Sequence, residues 1–412
     1  MLHRAGANDK VHVGLIGCGG MGAANLANAA AHPAVVVTGI CDVWKSRRDA
    51  LLEKYKNTAK PYHDYREMLA QKDLDGVIIA TPPHWHALQA VHAAESGKDF
   101  YLQKPMTIHL AEALVVKRPA EKHGRITQIG TQIHAGANYR RVVEWVRSGA
   151  LGKIGTVRTF LAGNQGAAGI GNAPFGDPPK DLDWDFWLGP APLGPCHPKI
   201  IESAGPNCSF LQYSGGYTPG MAPHIIDLPY WALELGFPLV TSAVGGRYVI
   251  RDAGDAYDTQ QVLWLYPGLV MTWMLSLVNG YSFDFQREGM ARGLGVYFHG
   301  VNGTLYANYG THGIVPEGDL MKGFSKPKES IPPSPGHESE WIDSIASRRQ
   351  PSCHVGYHYK IDAAIALAGI AYKLGRSVRF DPASEKIVGD DEAARLARPS
   401  YRDPWKFPEQ YL

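Results

Sequence analysis

The sequence is short of cysteine, of charge imbalance and of long apolar runs, and each shortage closes off a class of protein. Its five cysteines, Cys18, Cys41, Cys196, Cys208 and Cys353, are an odd number with no C-x-x-C or finger spacing. Neither a disulfide framework nor a structural zinc site is indicated, and no metal is expected. A net charge of +2 offers nothing to a nucleic acid or an anionic membrane. No apolar run is long enough to span a bilayer, and Met1-Leu2-His3-Arg4-Ala5 lacks the apolar region of a signal peptide, so a soluble chain is expected. What is present is ordinary globular material, 45% hydrophobic and 19% charged, and 412 residues exceed one average domain.

Residues 11–16 read as a buried strand that runs directly into Gly17-Cys18-Gly19-Gly20-Met21-Gly22, a G-x-G-x-x-G run followed by an alanine-rich helical stretch. In that context Gly17 allows the tight turn, Gly19 lets the backbone approach a pyrophosphate, and Gly22 lets helix and strand pack closely. The helix N-terminus, at Gly20 and Met21, supplies amides and a positive dipole end to the phosphates. A second strand, 35–41, ends in Asp42 at the distance expected of a ribose-binding acid. A carboxylate there repels a 2′-phosphate, which favours NAD over NADP; Arg47 and Arg48 read as solvated helix residues.

Strand and helix patterns then alternate to residue 131, as in a parallel sheet with right-handed crossovers. Ligands belong at the carboxyl ends of such strands, where three segments end: Thr81-Pro82-Pro83-His84-Trp85-His86, Gln103-Lys104-Pro105 and Gly130-Thr131-Gln132-Ile133-His134. Thr81, His86, Gln103, Lys104 and Gln132 are therefore cofactor candidates, and Lys104 and His134 face the substrate. Lys104 suits proton transfer, because burial and a nearby positive nicotinamide both lower its pKa.

From residue 154 onward the pattern changes to β-branched and aromatic strands joined by short turns, over 154–161, 240–250, 260–266, 269–277, 295–298 and 304–307. This predicts an α+β domain with a large, mostly antiparallel open sheet. Residues 163–219 lack periodicity but carry Trp184, Trp187, Phe210 and Tyr213, and read as walls of a substrate pocket. A helix is expected over 221–235, with His224, Asp227 and Trp231 on one face. Asp227 reads as a brace rather than as the orienting partner of His224, and Tyr217 as a wall or acid residue. Helices over 337–347 and 358–374 should pack on the sheet, and 380–412 reads as a surface strap. His354 and His358 are i, i+4 but lack a third convergent ligand.

Gln103-Lys104-Pro105, Gly130-Thr131-Gln132, the 183–192 segment Asp-Trp-Asp-Phe-Trp-Leu-Gly-Pro-Ala-Pro and the ending Tyr401-Arg402-Asp403-Pro404-Trp405 resemble the Gfo/Idh/MocA oxidoreductases. The hallmark of that family is Glu-Lys-Pro, so Gln103 is a departure, one that also resembles a bacterial subgroup. The resemblance implies an NAD-binding Rossmann domain over 1–135 and a substrate-binding and oligomerisation domain over 136–412. It implies a homo-oligomer, dimer or tetramer, and makes His224 the substrate-domain histidine. Many relatives carry an aspartate one turn before that histidine, where this chain has Gly220. Proton chemistry then falls on Lys104 and His224, with His134, Tyr217 and Trp187 completing the substrate site.

The implied substrate is a sugar, glycoside or polyol, oxidised at a secondary hydroxyl such as carbon 3 of a hexoside. The main alternative is a glycosidase that uses NAD catalytically through oxidation, elimination and reduction; a non-catalytic sugar or nucleotide sensor is the third reading. Gly6-Ala7-Asn8-Asp9-Lys10 resembles the junction that follows an export signal, so a periplasmic location is expected if such a signal was removed from the natural precursor, with the cytoplasm as the alternative.

Overall fold

The computed structural model describes residues 10–280 and 293–412; most of the expected export junction, residues 6–9, lies outside them. Six strands build the first sheet: β1 (Val11–Ile16), β2 (Val35–Cys41), β3 (Lys60–Tyr62), β4 (Gly76–Ile79), β5 (Asp99–Gln103) and β6 (Thr127–Gly130), with apolar runs in β1, β2 and β4. Their order is β3-β2-β1-β4-β5-β6, with every pairing parallel. β4, β5 and β6 are buried along their whole length, as strands covered on both faces must be. Helices α1 (Gly20–Ala30), α2 (Lys45–Leu52), α3 (Tyr65–Leu69), α4 (His86–Glu95) and α5 (Leu110–Lys122) are the crossovers. Strand order reverses between β1 and β4, which opens a crevice beside the glycine run.

α6 (Ala137–Arg147) leads into the second sheet, made of β7 (Ile154–Ala162), β8 (Val240–Gly246), β9 (Thr259–Tyr266), β10 (Leu269–Ser276), β11 (Gly293–Gly300), β12 (Gly303–Ala307), β13 (His312–Pro316), β14 (Val378–Asp381) and β15 (Lys386–Ile387). The order is β13-β12-β11-β7-β10-β9-β8-β14-β15, antiparallel throughout except for β7 against β10. β9 and β10 alternate strictly between buried and less buried positions. Trp264 on the inner face donates its indole N–H to the Ala364 carbonyl at 2.9 Å. On the outer face Val244, Leu263 and Leu265 are exposed.

Between the sheets, residues 163–219 form five short helices: α7 (Trp184–Leu188), α8 (Pro198–Glu202), α9 (Ala204–Asn207), α10 (Leu211–Ser214) and α11 (Tyr217–Met221). Leu182, Trp187, Ile200, Ile201, Phe210 and Tyr213 make a small core of their own, against which Val43 and Trp44, between β2 and α2, pack. The helix expected over 221–235 is divided, because Pro223 lacks an N–H and opens α12 (Pro223–Leu233) as a new helix. β8 stops at Gly246 rather than running to 250, since the N–H groups of Tyr248, Val249 and Ile250 all turn to one oxygen of Asp258.

The final helices join the two sheets. α13 (His337–Ser347) returns to the first sheet, where Trp341 and Ile342 pack with residues of β1 and β2. α14 (Val355–Leu374) begins before residue 358 because the His354 side chain accepts from Gly356 N and caps it. The expected strap is more ordered than anticipated: it holds β14 in part, β15 and α15 (Asp391–Leu396), with Trp405 and Tyr411 buried. Among the described residues no helix is long and apolar enough to cross a membrane.

Candidate active site

A cavity of about 410 Å³ opens at the strand-order reversal, between the glycine run and residues 200–208. Gly17 has φ +96°, and a Cβ there would stand 2.7 Å from the Ala80 carbonyl oxygen, so the turn accepts only glycine. A Cβ on Gly22 would fall 1.9 Å from the Gly17 oxygen, which makes its role helix–strand packing. Gly19 and Gly20 have nothing within 4 Å on that side and line the cavity with Met21. The first turn of α1 leaves backbone amides without intrahelical partners beside this space.

Asp42 stands at the rim. Its Oδ2 accepts from Cys18 N at 2.6 Å and its Oδ1 from Trp44 N at 2.8 Å, so the carboxylate is fixed by the glycine loop that it faces. Burial raises its pKa and the two backbone donors oppose that rise. Arg47 departs from expectation. Its guanidinium lies 3.9 Å from the centre of the Trp44 ring, donates to the Ile201 carbonyl at 2.7 Å and lines the cavity, while Arg48 pairs with Asp49. Arg47 belongs to a clasp across the cavity: Ser46 N donates to Asp181 Oδ2 (3.0 Å), Asp183 N to the Val43 carbonyl (3.1 Å), and His63 contacts Asp183 (2.9 Å).

The strand ends supply the inner wall. Thr81 donates its hydroxyl to Gln89 at 2.7 Å. The nitrogens of His86 lie 2.8 Å from the Thr81 carbonyl and 2.7 Å from that of Pro105, so its ring joins the segments that follow β4 and β5. Burial lowers the His86 pKa. Gln103 donates to Asn25 Oδ1 (2.7 Å), and Asn25 donates to Glu338 Oε1 (2.6 Å) on α13. The Lys104 N–H in turn donates to Gln103 Oε1 at 3.2 Å. A neutral amide donates to Asn25 and accepts from Lys104 at once, which an ionised glutamate in the same place cannot do.

Lys104 donates from Nζ to the Gly220 carbonyl at 2.8 Å, and the lysine, Gly220 and Cys208 share one cavity wall. Burial lowers the pKa of the amine, an effect that Cys208 partly opposes. His224 is near enough for the two groups to act on each other: burial first, then Lys104 and His358, hold its imidazole well below its ordinary pKa. Among the described residues its Nδ1 is buried without a hydrogen-bond partner, and its ring lies 5.8 Å from that of Tyr309. His224 stands behind the residues that line the cavity.

Three expected site residues are placed elsewhere. His134 is 0% exposed, stacked on Trp231 at 3.9 Å and bonded through Nδ1 to Asp227, so it braces the fold instead of facing a substrate. Tyr217 is tied to Gln165 (2.5 Å) and Ser209 (3.2 Å), away from the cavity lining. Gln132 lies against Met21 Sδ at 3.8 Å and does not itself line the cavity. Trp187 does line it. Asp227 accepts from His134 and from the Tyr357 hydroxyl (2.7 Å), the bracing role expected of it. His354 caps α14, while His358 contacts Thr131 (2.8 Å) and Asp362, so the pair does not converge on an ion. The sequence reading missed Cys208, Arg47 and the Asn25–Glu338 relay; only Arg47 carried a local signal, its closeness to Asp42.

Residues 11–131 match the model of an oxidoreductase family with an NAD-binding Rossmann fold, and residues 286–407 match that family's C-terminal alpha/beta domain. The chain belongs to the Gfo/Idh/MocA family. Residues 11–131 are accordingly an NAD-binding Rossmann domain. Among curated members, the chain is 32% identical over 142 residues to inositol 2-dehydrogenase of Salmonella typhimurium, covering 34% of this chain and 42% of that one. It is 30% identical over 154 residues to a glycosyl hydrolase family 109 protein of Shewanella baltica, covering 35% and 34%. The match thus spans less than half the length of these relatives. The fold is shared over nearly the whole chain with levoglucosan dehydrogenase in complex with NADH and levoglucosan (TM-score 0.62, 19% identity, 90% of this chain and 99% of that one). It is also shared with the aldose-aldose oxidoreductase of Caulobacter crescentus complexed with glycerol (TM-score 0.65, 17%, 90% and 100%).

Proposed function

We propose that this Gfo/Idh/MocA protein is an NAD-dependent oxidoreductase that moves a hydride to or from a secondary hydroxyl carbon of a sugar, glycoside or polyol. The observation that carries the reading is the desolvated Lys104 amine, held on a neutral carbonyl in the wall of the cavity that the glycine run opens into. The residues present suit the cofactor: Gly19 and Gly20 leave room for a pyrophosphate, the α1 amides face it, and Asp42 is positioned for ribose hydroxyls. NAD, when bound, supplies the hydride acceptor or donor.

In the oxidative direction the uncharged Lys104 amine takes the hydroxyl proton as the carbinol C–H bond gives up its hydride; in reverse the ammonium returns that proton. His224, held neutral by burial behind the cavity lining, acts on the site through the neighbouring Lys104 amine rather than by carrying a charge. Trp187 offers an aromatic face in the cavity wall. The clasp from Asp181 and Asp183 to the rim at residues 43–46 and His63 ties the far wall of the cavity to the side that would hold the cofactor.

The clasp also favours a second reading, in which a retained cofactor serves a glycosidase. Oxidation at carbon 3 would acidify the neighbouring C–H, loss of that proton would expel the aglycone from carbon 1, and addition of water followed by reduction would restore the sugar. Incubation with NAD and a panel of polyols and methyl hexosides separates the two. Net NADH absorbance at 340 nm supports the dehydrogenase, sugar release without net NADH the glycosidase, and binding without turnover by either measure a sensor.

The proposal includes a homo-oligomer, dimer or tetramer, built on the outer sheet face where Val244, Leu263 and Leu265 are exposed; light scattering on the purified chain tests it. It also includes export to the periplasm, which an in-frame twin-arginine segment upstream would support.

A further inference from the structure

Glycine at position 220 is not explained by its backbone. Gly220 lies within α11 and is not among the glycines with positive φ, so another residue would meet no conformational strain there. The obstacle is a side chain: a Cβ at 220 would stand 2.6 Å from Cys208 Sγ, well inside van der Waals contact. Cys208 caps α9, with its N–H shared between the carbonyls of Ala204 (3.2 Å) and Gly205 (3.1 Å), and is only 8% exposed. Its thiol therefore occupies the volume over the Gly220 Cα, and what position 220 offers the Lys104 amine is its carbonyl oxygen, 2.8 Å away.

The other titratable groups facing that amine are Cys208 itself and His224 from α12. Burial raises the thiol and lowers the imidazole, so both are neutral near pH 7. Among the described residues no carboxylate acts on the amine.

We infer that Cys208 is a positioning residue for Lys104: by filling the space over residue 220 it keeps that position bare and leaves a neutral carbonyl as the partner of the amine. The inference rests on the proposed acid/base role of Lys104 for its functional meaning, but not for its geometry. A carboxylate at hydrogen-bond distance would favour the ammonium and raise the lysine pKa by about 1–3 units, leaving less free base at neutral pH.

The test uses the full chain with Gly220→Asp, Cys208→Ala and the two combined. Two measurements are made: the thermal midpoint, and the pH dependence of Lys104 acetylation by acetic anhydride read by peptide mass spectrometry. Gly220→Asp alone should lower the midpoint by several degrees, and Cys208→Ala should remove most of that loss, because the two side chains compete for one volume. In the double variant Lys104 labelling below its pKa should fall about tenfold, one unit of pKa being a factor of ten in free amine. Additive effects on the midpoint would overturn the inference, and so would a double variant whose Lys104 labels like that of the native chain. Lys104→Met separates the two claims. If that variant still transfers hydride, the acid/base reading fails, while midpoint and labelling still decide whether Cys208 keeps position 220 bare.

Discussion

The two ends of the cavity are built on different principles. At the glycine-run end recognition is a matter of backbone: bare glycines, open amides and one acid fixed by two N–H groups, all within about 30 residues of chain. At the Lys104 end two remote parts of the chain meet, Lys104 after β5 and, more than a hundred residues later, Cys208 after α9, Gly220 in α11 and His224 in α12. A binding surface made of backbone can be encoded locally and copied whole. A proton-transfer site is a balance of burial and neighbouring charge, and it can be adjusted one side chain at a time.

The comparison predicts that damage at the Lys104 end removes chemistry without removing the cofactor. Lys104→Met should lower the rate of hydride transfer by about 10²–10⁴-fold, the usual worth of a general acid/base, with NAD affinity by tryptophan quenching little changed. A large loss of NAD binding in that variant would break the distinction. In the native protein the oxidation rate should rise with pH and level off below the ordinary lysine range, since only the free amine can accept a proton and burial lowers its pKa. A limb at or above the ordinary lysine pKa would contradict this.

Damage at the glycine end should do the reverse. Gly22→Ala drives a methyl group into the Gly17 carbonyl and should cost about 2–4 kcal/mol of stability, with NAD binding lost in the protein that still folds. Gln103→Glu tests the joint between the ends. An ionised glutamate cannot donate to Asn25, and a loss of about 1–3 kcal/mol in urea unfolding at neutral pH is expected from the unsatisfied buried pair. The smallest effect is that of Asp42→Asn, which should weaken NAD about tenfold through loss of a charge-assisted bond to ribose and narrow the preference over NADP; calorimetric titration of both cofactors measures it.

Legibility follows the same division. The parallel sheet, the glycine run and Asp42 were readable because their signals lie close together in the chain. Residues 163–219 were not, since helices of four or five residues are too short to display a period. His134 misled for a related reason: its place after β6 points towards the crevice, but Asp227 and Trp231, more than ninety residues on, hold it in the interior. The absence of a side chain at Gly220 was visible as a departure, while its cause, the Cys208 thiol, lies twelve residues earlier on a different helix.

By itself the sequence determined the Rossmann domain, the antiparallel sheet, the glycine run at the first strand end and the place of Lys104 at the end of another, because periodicity, glycine geometry and strand ends are local properties of a chain. Only the tertiary structure decided what surrounds that lysine: a carbonyl in place of a carboxylate, a thiol over a bare glycine and an imidazole kept neutral. The physical reason is that desolvation and charge act through space, and the distances through which they act are set when segments far apart in the chain pack together.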